Sequence, residues 1–296
     1  MMQKIIIIGG ATATGKSAAT VAMAQSIGGE IISADSMQIY RKMDIGTAKV
    51  MPNEMKGIPH HLIDELDPDE PYNVAIFAQM AKRRIEEIAA RNKVPIICGG
   101  TGFYINALLY GADFSQTTAD HDLRRSLEQK SVNELWGILQ KVDPNSAKQL
   151  DKNNKKRVVR AIEYNQTTGE KISEHNERER ARSPAYDAKV FLLDAERSLL
   201  YGRINSRVDD MVANGLVSEV QGLLDAGYSP NLVSMQGIGY KEIVRYLQGE
   251  CSLDEAIAAI KQATRRFAKR QITWFKHQLP QAVWVDIYNQ KLEDFI

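Results

Sequence analysis

Short runs of β-branched apolar residues alternate along this chain with longer stretches whose apolar positions recur every three to four residues. Residues 4–8 (KIIII) run straight into Gly9-Gly10, the pattern of a buried strand closed by a turn. Residues 16–27 (KSAATVAMAQSI) carry helical spacing, and Gly28-Gly29 stop it. A second strand is predicted over 30–34, delivering Asp35 at its C-terminal end. A long amphipathic helix over 74–91 precedes a third strand, 94–98, which runs into Gly99-Gly100-Thr101-Gly102. Strands alternating with helices predict an α/β fold with a parallel, doubly wound sheet. Sites on such sheets gather beyond the carboxyl ends of the strands.

The rhythm changes near residue 113. From there to 186 the chain shows polar helical segments, a break at Asp143-Pro144 and a charged stretch over 174–182, without a strand pattern. The organisation read from this is a core in two parts, 1–112 and 187–296, interrupted by an all-helical insertion domain over 113–186. A strand over 189–193 resumes the sheet. Helices are expected from there to the C-terminus, the longest over 253–275.

Composition adds little to this picture. Apolar residues make up 44% and charged residues 25%, as in ordinary globular proteins. A net charge of +1 neither demands nor excludes a polyanionic partner, so local basic clusters must decide that question. Cys98 and Cys251 stand alone, which argues against a disulfide framework or zinc site and fits a reducing compartment. The opening MMQKIIIIGG has only four consecutive apolar residues, too few for a signal segment or a membrane span. The expectation is a cytoplasmic monomer that does not engage a membrane.

Gly10-Ala11-Thr12-Ala13-Thr14-Gly15-Lys16-Ser17 matches the P-loop pattern GxxxxGK[ST] between a predicted strand and a predicted helix. Glycines at both ends let successive N–H groups turn inward around phosphate oxygens. The helix start adds orphan donors and a positive dipole end. Lys16 supplies a point charge, and the Ser17 hydroxyl can ligate Mg²⁺. The pattern implies a phosphate site but not a reaction, because kinases, ATPases and GTPases all use it. On residue type alone Asp35 can be a base, a helix cap or a water-mediated Mg²⁺ ligand. Thr101 can be a simple helix N-cap, and Arg207 can pair with a surface carboxylate. His60 and His61 point to opposite sides of an extended segment without further ligands nearby, and are read as structural.

Further motifs narrow the reading. Ser33-Ala34-Asp35-Ser36-Met37-Gln38-Ile39-Tyr40 is followed by Asp44-Ile45-Gly46-Thr47-Ala48-Lys49, and the third strand ends in Gly99-Gly100-Thr101-Gly102-Phe103-Tyr104. With Pro59-His60-His61-Leu62, Lys156-Arg157-Val158-Val159-Arg160-Ala161, residues 203–211, Met235-Gln236-Gly237-Ile238-Gly239-Tyr240-Lys241-Glu242 and 264–275 (TRRFAKRQITWF), the chain resembles the tRNA dimethylallyltransferase family. The likeness covers nearly the whole sequence. Ala11 stands where that family usually has proline, Phe103 where leucine is frequent, and Lys156 where arginine is frequent. The C-terminal stretch has no Cys/His pairs of the kind that build the zinc finger of eukaryotic members.

The resemblance implies a P-loop NTPase-like core that holds the diphosphate of dimethylallyl diphosphate with Mg²⁺, and an acceptor that is N6 of adenine 37 beside the tRNA anticodon. It implies catalytic roles for Asp35, as the base that takes the N6 proton, and for Thr101 and Arg207 at the diphosphate. Arg203, one turn earlier than Arg207, is the second choice. Residues 10–17 become the diphosphate cradle, with Ser17 on the metal. Ser36, Met37, Gln38 and Gln236 accompany Asp35 at the acceptor.

An anticodon-loop base must be extruded from its stack to reach such a site, and basic clusters must grip the backbone. One candidate is Lys155, Lys156, Arg157 and Arg160, with Val158 and Val159 in the same motif; the other is Lys261, Arg265, Lys269 and Lys276, which share an arc at about 100° per residue. The rivals are an adenylate isopentenyltransferase acting on free AMP, a small-molecule P-loop kinase, and a tRNA-binding module with a vestigial P-loop.

Overall fold

The computed structural model describes residues 2–112, 120–290 and 292–295. It divides into two compact units, Met1–Leu109 with Ala185–Ile296, and Tyr110–Pro184. The expected start of the insertion, residue 113, lies outside the described residues.

The first unit is built on a six-stranded, all-parallel sheet. Its strands are β1 (Lys4–Gly10), β2 (Gly29–Ser33), β3 (His60–His61), β4 (Val94–Gly99), β5 (Asp187–Asp194) and β6 (Val283–Asp286), in the order β3-β2-β4-β1-β5-β6. β1 lies inside the sheet, which is why its isoleucines do not alternate with polar residues: Ile5, Ile7 and Ile8 are all fully buried. β6 corrects the expectation of helices to the C-terminus. It is a four-residue edge strand that pairs Phe191 with Val283 and Asp194 with Asp286, too short to show a period-two pattern.

Register sets the site. Gly9 lies beside Gly99 and Leu192, and Ser33 beside Cys98. The C-terminal ends of β1, β2 and β4 therefore reach the same rim, and the chain beyond each, from Gly10, Ala34 and Gly100, starts there.

Helices α1 (Lys16–Ile27), α2 (Pro52–Met55), α3 (Val74–Ala90) and α4 (Gly102–Leu109) belong to the first half of this unit. α1 starts and stops where its sequence signals lie, with Gly15 and Gly28 both left-handed at its ends. Val21, Met23 and Ala24 from α1 join Ile6, Ile8, Ile31 and Ile96 in one core.

The second unit is helical throughout its described residues: α5 (His121–Glu128), α6 (Val132–Val142), α7 (Pro144–Gln149), α8 (Lys155–Thr168) and α9 (Ile172–Arg180). Asp143 ends α6 and caps α7, with Pro144 at the first helical position. Its buried carboxylate accepts from the amide and hydroxyl of Ser146 and of Ser173 at 2.6–3.0 Å. Burial alone would raise the Asp143 pKa, but these four bonds together hold it below the ordinary value.

Returning to the first unit, α10 (Arg197–Ala213), α11 (Leu216–Asp225), α12 (Tyr240–Leu247) and α13 (Leu253–Gln278) complete it. α13 is opened by a capping box between Ser252 and Glu255. Ala11 and Ala13 of the P-loop pack with Leu200 and Ile204 of α10 and Ala268 of α13. Among the described residues no helix is long and apolar enough to cross a membrane.

Candidate active site

A cavity of about 740 Å³ opens at the rim of the sheet, and every residue lining it belongs to the first unit. Its walls come from four places: the P-loop with Asp35-Ser36-Met37-Gln38, the 46–50 loop, Gly100-Thr101, and helical residues that include Arg207, Arg270 and Gln271.

The P-loop is held open by its own bonds. Gly10 has φ +147, and a Cβ there would meet the Leu193 carbonyl at 2.7 Å, so only glycine fits. The Ala11 carbonyl accepts from Thr14 Oγ1 at 2.8 Å and from Lys16 Nζ at 2.6 Å. The amides of Ala13, Gly15, Lys16 and Ser17 have no acceptor among the described residues. These unspent donors at a helix N-terminus form an anion site. Burial lowers the Lys16 pKa to about 8; Cys98 and Asp35 act to raise it and Arg207 to lower it further.

Asp35 sits just past β2. Its Oδ1 accepts from the Met37 amide at 2.8 Å and from the Gln38 amide at 3.4 Å. Burial raises its pKa; the two amides and Lys16 oppose that without cancelling it. A partly desolvated carboxylate with its other oxygen uncommitted can accept a proton. Thr101 precedes α4 as its cap residue, its carbonyl accepting from Tyr104 and Ile105. Cys98 also lines the cavity, but burial pushes its thiol up and Thr20 Oγ1 donates to its sulfur at 3.1 Å. It is an inert thiol.

The two arginines of α10 separate. Arg207 lines the cavity and makes no hydrogen bond or ion pair among the described residues. Burial lowers its pKa, Glu54 raises it and Arg203 lowers it, and a guanidinium stays charged through such shifts. Arg203 lies instead over the Tyr288 ring, 4.9 Å from its centroid.

Comparison with known proteins identifies the family. A model of the IPP transferase family matches residues 38–278. The chain belongs to the IPP transferase family. It is 50% identical over 288 residues to a tRNA dimethylallyltransferase of Lachnoclostridium phytofermentans, covering 96% of this chain and 92% of the relative. A tRNA dimethylallyltransferase of Carboxydothermus hydrogenoformans is 48% identical, with 99% and 95% covered. Among solved structures, the tRNA isopentenylpyrophosphate transferase of Bacillus halodurans is 42% identical with a TM-score of 0.73, covering 96% of this chain and 90% of that one. A eukaryotic dimethylallyltransferase acting on tRNA is 29% identical with a TM-score of 0.86, covering 99% and 77%.

In this IPP transferase, two residues that sequence reasoning left unassigned hold the site together. Gln271 is buried; its Oε1 accepts from the Thr12 amide at 2.9 Å and its Nε2 donates to the Gly100 carbonyl at 2.8 Å. The Thr12 amide is thereby committed away from the cradle. Glu219 accepts from the amides of Asp44, Ile45 and Gly46 at 2.7–3.0 Å and from the Tyr240 hydroxyl at 2.7 Å. It thus fixes the loop that carries cavity residues Gly46, Thr47 and Ala48. In the same loop Lys49 is buried, donating to the Tyr40 carbonyl and bonding Asp44 and Asp64. The only advance signal for Gln271 and Glu219 is a polar residue at helical spacing with the apolar face.

Ser36, Met37, Gln38 and Gln236 line the cavity with Asp35. Gln38 Nε2 donates to the Ala48 carbonyl at 3.2 Å, and Gln236 Nε2 to that of Pro230 at 2.8 Å. His61 bonds the buried Glu30, and His60 bonds the Ile58 carbonyl. Among the described residues no group of three or more His, Cys, Asp or Glu is placed to hold a metal.

The basic surfaces need two corrections. Val158 and Val159 are buried with Leu127, Leu135 and Leu139 in the core of the helical unit, where they cannot touch a nucleic acid. They are the apolar face of α8, while Lys156 and Arg157 are exposed and Arg160 pairs with Glu163. On α13, Lys261 pairs with Asp209 at 2.6 Å and Arg265 donates to Asn205 at 2.6 Å, so both are directed at α10. Lys269 and Lys276 are exposed, the latter with its Nζ 5.4 Å from the Trp284 ring centroid. A shared arc does not reveal which neighbour packs on it.

Proposed function

We propose that this chain transfers the dimethylallyl group of dimethylallyl diphosphate to N6 of adenine 37 in tRNA, as a cytoplasmic monomer. The observation that carries the reading is one cavity joining a P-loop anion cradle to a desolvated carboxylate, Asp35, in a chain half identical to tRNA dimethylallyltransferases.

The allylic C–O bond breaks with its electron pair leaving on the diphosphate, and the N6 lone pair forms the new C–N bond. The N6 proton passes to the Asp35 carboxylate. The free amides of Ala13, Gly15, Lys16 and Ser17, the Lys16 ammonium, Thr101 and the unpaired Arg207 neutralise the departing charge. The donor set fits a Mg²⁺ ion, which usually takes few protein ligands and completes its shell with phosphate and water. Ser17, a cavity residue without a hydrogen bond among the described residues, would hold it beside the diphosphate. Such an ion supplies further charge neutralisation of the leaving group. Ser36, Met37, Gln38 and Gln236 surround the extruded adenine. Lys156, Arg157 and Arg160 on the helical unit, and Lys269 on α13, contact the tRNA backbone; Lys261 and Arg265 tie α13 to α10.

The deciding experiment is single-turnover transfer by Asp35→Asn at several pH values and Mg²⁺ concentrations. The amide keeps the shape but cannot accept the proton, so the rate falls roughly 10²–10⁴-fold while both substrates still bind. Recovery of the rate with excess Mg²⁺ would make Asp35 a metal ligand instead, and near-normal transfer would remove it from the chemistry.

A further inference from the structure

Among the described residues of the first unit, one buried side-chain polar atom has no hydrogen-bond partner: the hydroxyl oxygen of Tyr72. Tyr72 is 7% exposed and stands just before α3, whose first amides are capped by Asn73. An unpaired buried hydroxyl is a standing cost to stability, and phenylalanine would fill the same space without it.

The surroundings of Tyr72 are aromatic. Its ring meets those of Tyr40 and Tyr104 edge-on, at centroid distances of 6.3 and 5.8 Å, and Tyr104 stacks on Phe77 at 4.8 Å. These contacts fix the Tyr72 ring without giving its hydroxyl a bond. Both flanking tyrosines are anchored to the segment that carries Asp35. The Tyr40 amide donates to the Met37 carbonyl at 3.2 Å. Tyr104 lies three residues after Thr101, whose amide donates to the Ala34 carbonyl at 3.3 Å. Tyr72 is thus held between residues tied to either side of Asp35.

Charge singles out the partner. Burial above all, then Tyr104, Asp35, Glu65 and Tyr40, push the Tyr72 hydroxyl well above its ordinary pKa, so it stays protonated and can donate. Of the two carboxylates, Glu65 is committed: one oxygen accepts from the Leu62 amide at 2.8 Å and the other from Arg84 at 3.2 Å. Asp35 gives Oδ1 to the Met37 and Gln38 amides and leaves Oδ2 unbonded among the described residues. Burial, Tyr40 and Asp35 raise the Tyr104 hydroxyl as well. Two protonated hydroxyls and a free carboxylate oxygen are enough partners for one bridging water.

We propose that Tyr72 is a positioning residue for the base: its hydroxyl donates through one water to Asp35 Oδ2 and holds the carboxylate ionised. The role rests on Asp35 taking the N6 proton. Tyr72 lies behind the cavity wall and touches neither substrate. A hydrogen bond to the charged form favours that form. Tyr72 therefore opposes the burial that raises Asp35, on the same side as the two amides and Lys16. Cys98, the remaining titratable neighbour, is a neutral buried thiol.

The test is Tyr72→Phe in the full chain, alone and combined with Asp35→Asn. Phenylalanine keeps the ring and removes the unpaired hydroxyl, so the melting temperature holds or rises. The acid limb of kcat/KM for the donor moves up by about one pH unit, the size of one hydrogen bond to a charged group. Below that limb kcat/KM falls about tenfold, and above it the two proteins converge. In the Asp35→Asn background the same change has no further effect. An acid limb that does not move, a melting temperature that drops with the rate, or further loss in the Asp35→Asn background overturns the role while Asp35 stays the base. Near-normal transfer by Asp35→Asn alone overturns the base itself, and the positioning role with it.

Discussion

Gln271 and Gly100 meet across the active-site cavity floor, with Gln271 Nε2 donating to the Gly100 carbonyl at 2.8 Å. A Cβ at Gly100 would fall 2.3 Å from that nitrogen. Glycine is therefore required by the side chain opposite it, not by its backbone angles. Because Oε1 accepts from Thr12 at the same time, one planar amide ties the P-loop to the turn that carries Thr101. The bond works in one orientation only, with oxygen to the P-loop and nitrogen to the turn.

That polarity makes Gln271→Glu informative. At neutral pH the carboxylate still accepts from Thr12 but faces the Gly100 carbonyl without a proton. A buried carbonyl left without its donor costs about 1–3 kcal/mol of stability, and the carboxylate sets a negative charge beside the anion cradle, so affinity for inorganic diphosphate falls roughly tenfold or more. Protonated Glu has both a donor and an acceptor, and affinity relative to wild type recovers as pH falls. Calorimetric titration of both proteins at pH 7.5 and 5.5 checks this. A ratio that does not move with pH means the amide only fills space.

The pH profile of kcat/KM for the donor follows from Asp35 and Lys16. Burial raises Asp35 above its ordinary value, so the rate climbs with pH through a limb above the usual carboxylate range as the base ionises. Lys16, lowered to about 8 by burial, loses its charge as pH rises past that point, and donor capture weakens. The expected profile is a bell, because kcat/KM reports the free enzyme. Asp35→Asn removes the acid limb and leaves the alkaline one; Lys16→Arg does the reverse.

How much of this was legible in the sequence depends on the distance between partners. α1 occupies residues 16–27 as read, because a P-loop glycine and a Gly-Gly pair mark both of its ends locally. The convergence of the P-loop, Asp35 and Thr101 at one rim followed from parallel strands whose carboxyl ends share one edge of the sheet. What stayed hidden was set by contacts remote in the chain. Gln271 and Thr12 are 259 residues apart and Glu219 and Asp44 are 175 apart, and nothing in the sequence near the glutamine or the glutamate names its partner. Val158 and Val159 were recoverable: two valines amid cations on a helix are its inward face. β6 was not, since four residues on a sheet edge carry too little periodicity.

Arg207 and Arg203 lie one turn apart and have opposite expected effects. Arg207 lines the cavity without a hydrogen-bonding partner among the described residues, so Arg207→Ala removes the charge proposed to neutralise the leaving group and slows transfer roughly 10²–10³-fold. Arg203 rests on Tyr288. Its replacement by alanine changes stability by about 0.5–1 kcal/mol and transfer by no more than a few-fold. Single-turnover rates for the two variants, with thermal melts, separate the roles. Equal loss of rate in both would mean that the pair acts together on the diphosphate.

Glu219 offers a test of the loop that walls the acceptor side. An ionised carboxylate has about four acceptor sites, and Glu219 uses them on three successive amides and the Tyr240 hydroxyl. The side-chain amide introduced by Glu219→Gln cannot match this in either orientation. With its nitrogen toward Asp44 and Ile45, two backbone amides lose their acceptor; turned over, Tyr240 can accept instead but the Gly46 amide is still stranded. Each stranded amide costs about 1–3 kcal/mol, so Glu219→Gln loses at least that much stability. The loss is local: Gly46, Thr47 and Ala48 line the cavity, and Gln38 is anchored on the Ala48 carbonyl. Hydrogen exchange in residues 44–48 therefore speeds up before the rest of the sheet unfolds, and KM for the tRNA acceptor rises more than kcat falls. The donor site proposed on the P-loop is away from these bonds, so diphosphate affinity stays near wild type. If exchange quickened uniformly through the first unit, or diphosphate binding fell in step with tRNA binding, Glu219 would be a general stabiliser and not the anchor of the acceptor wall.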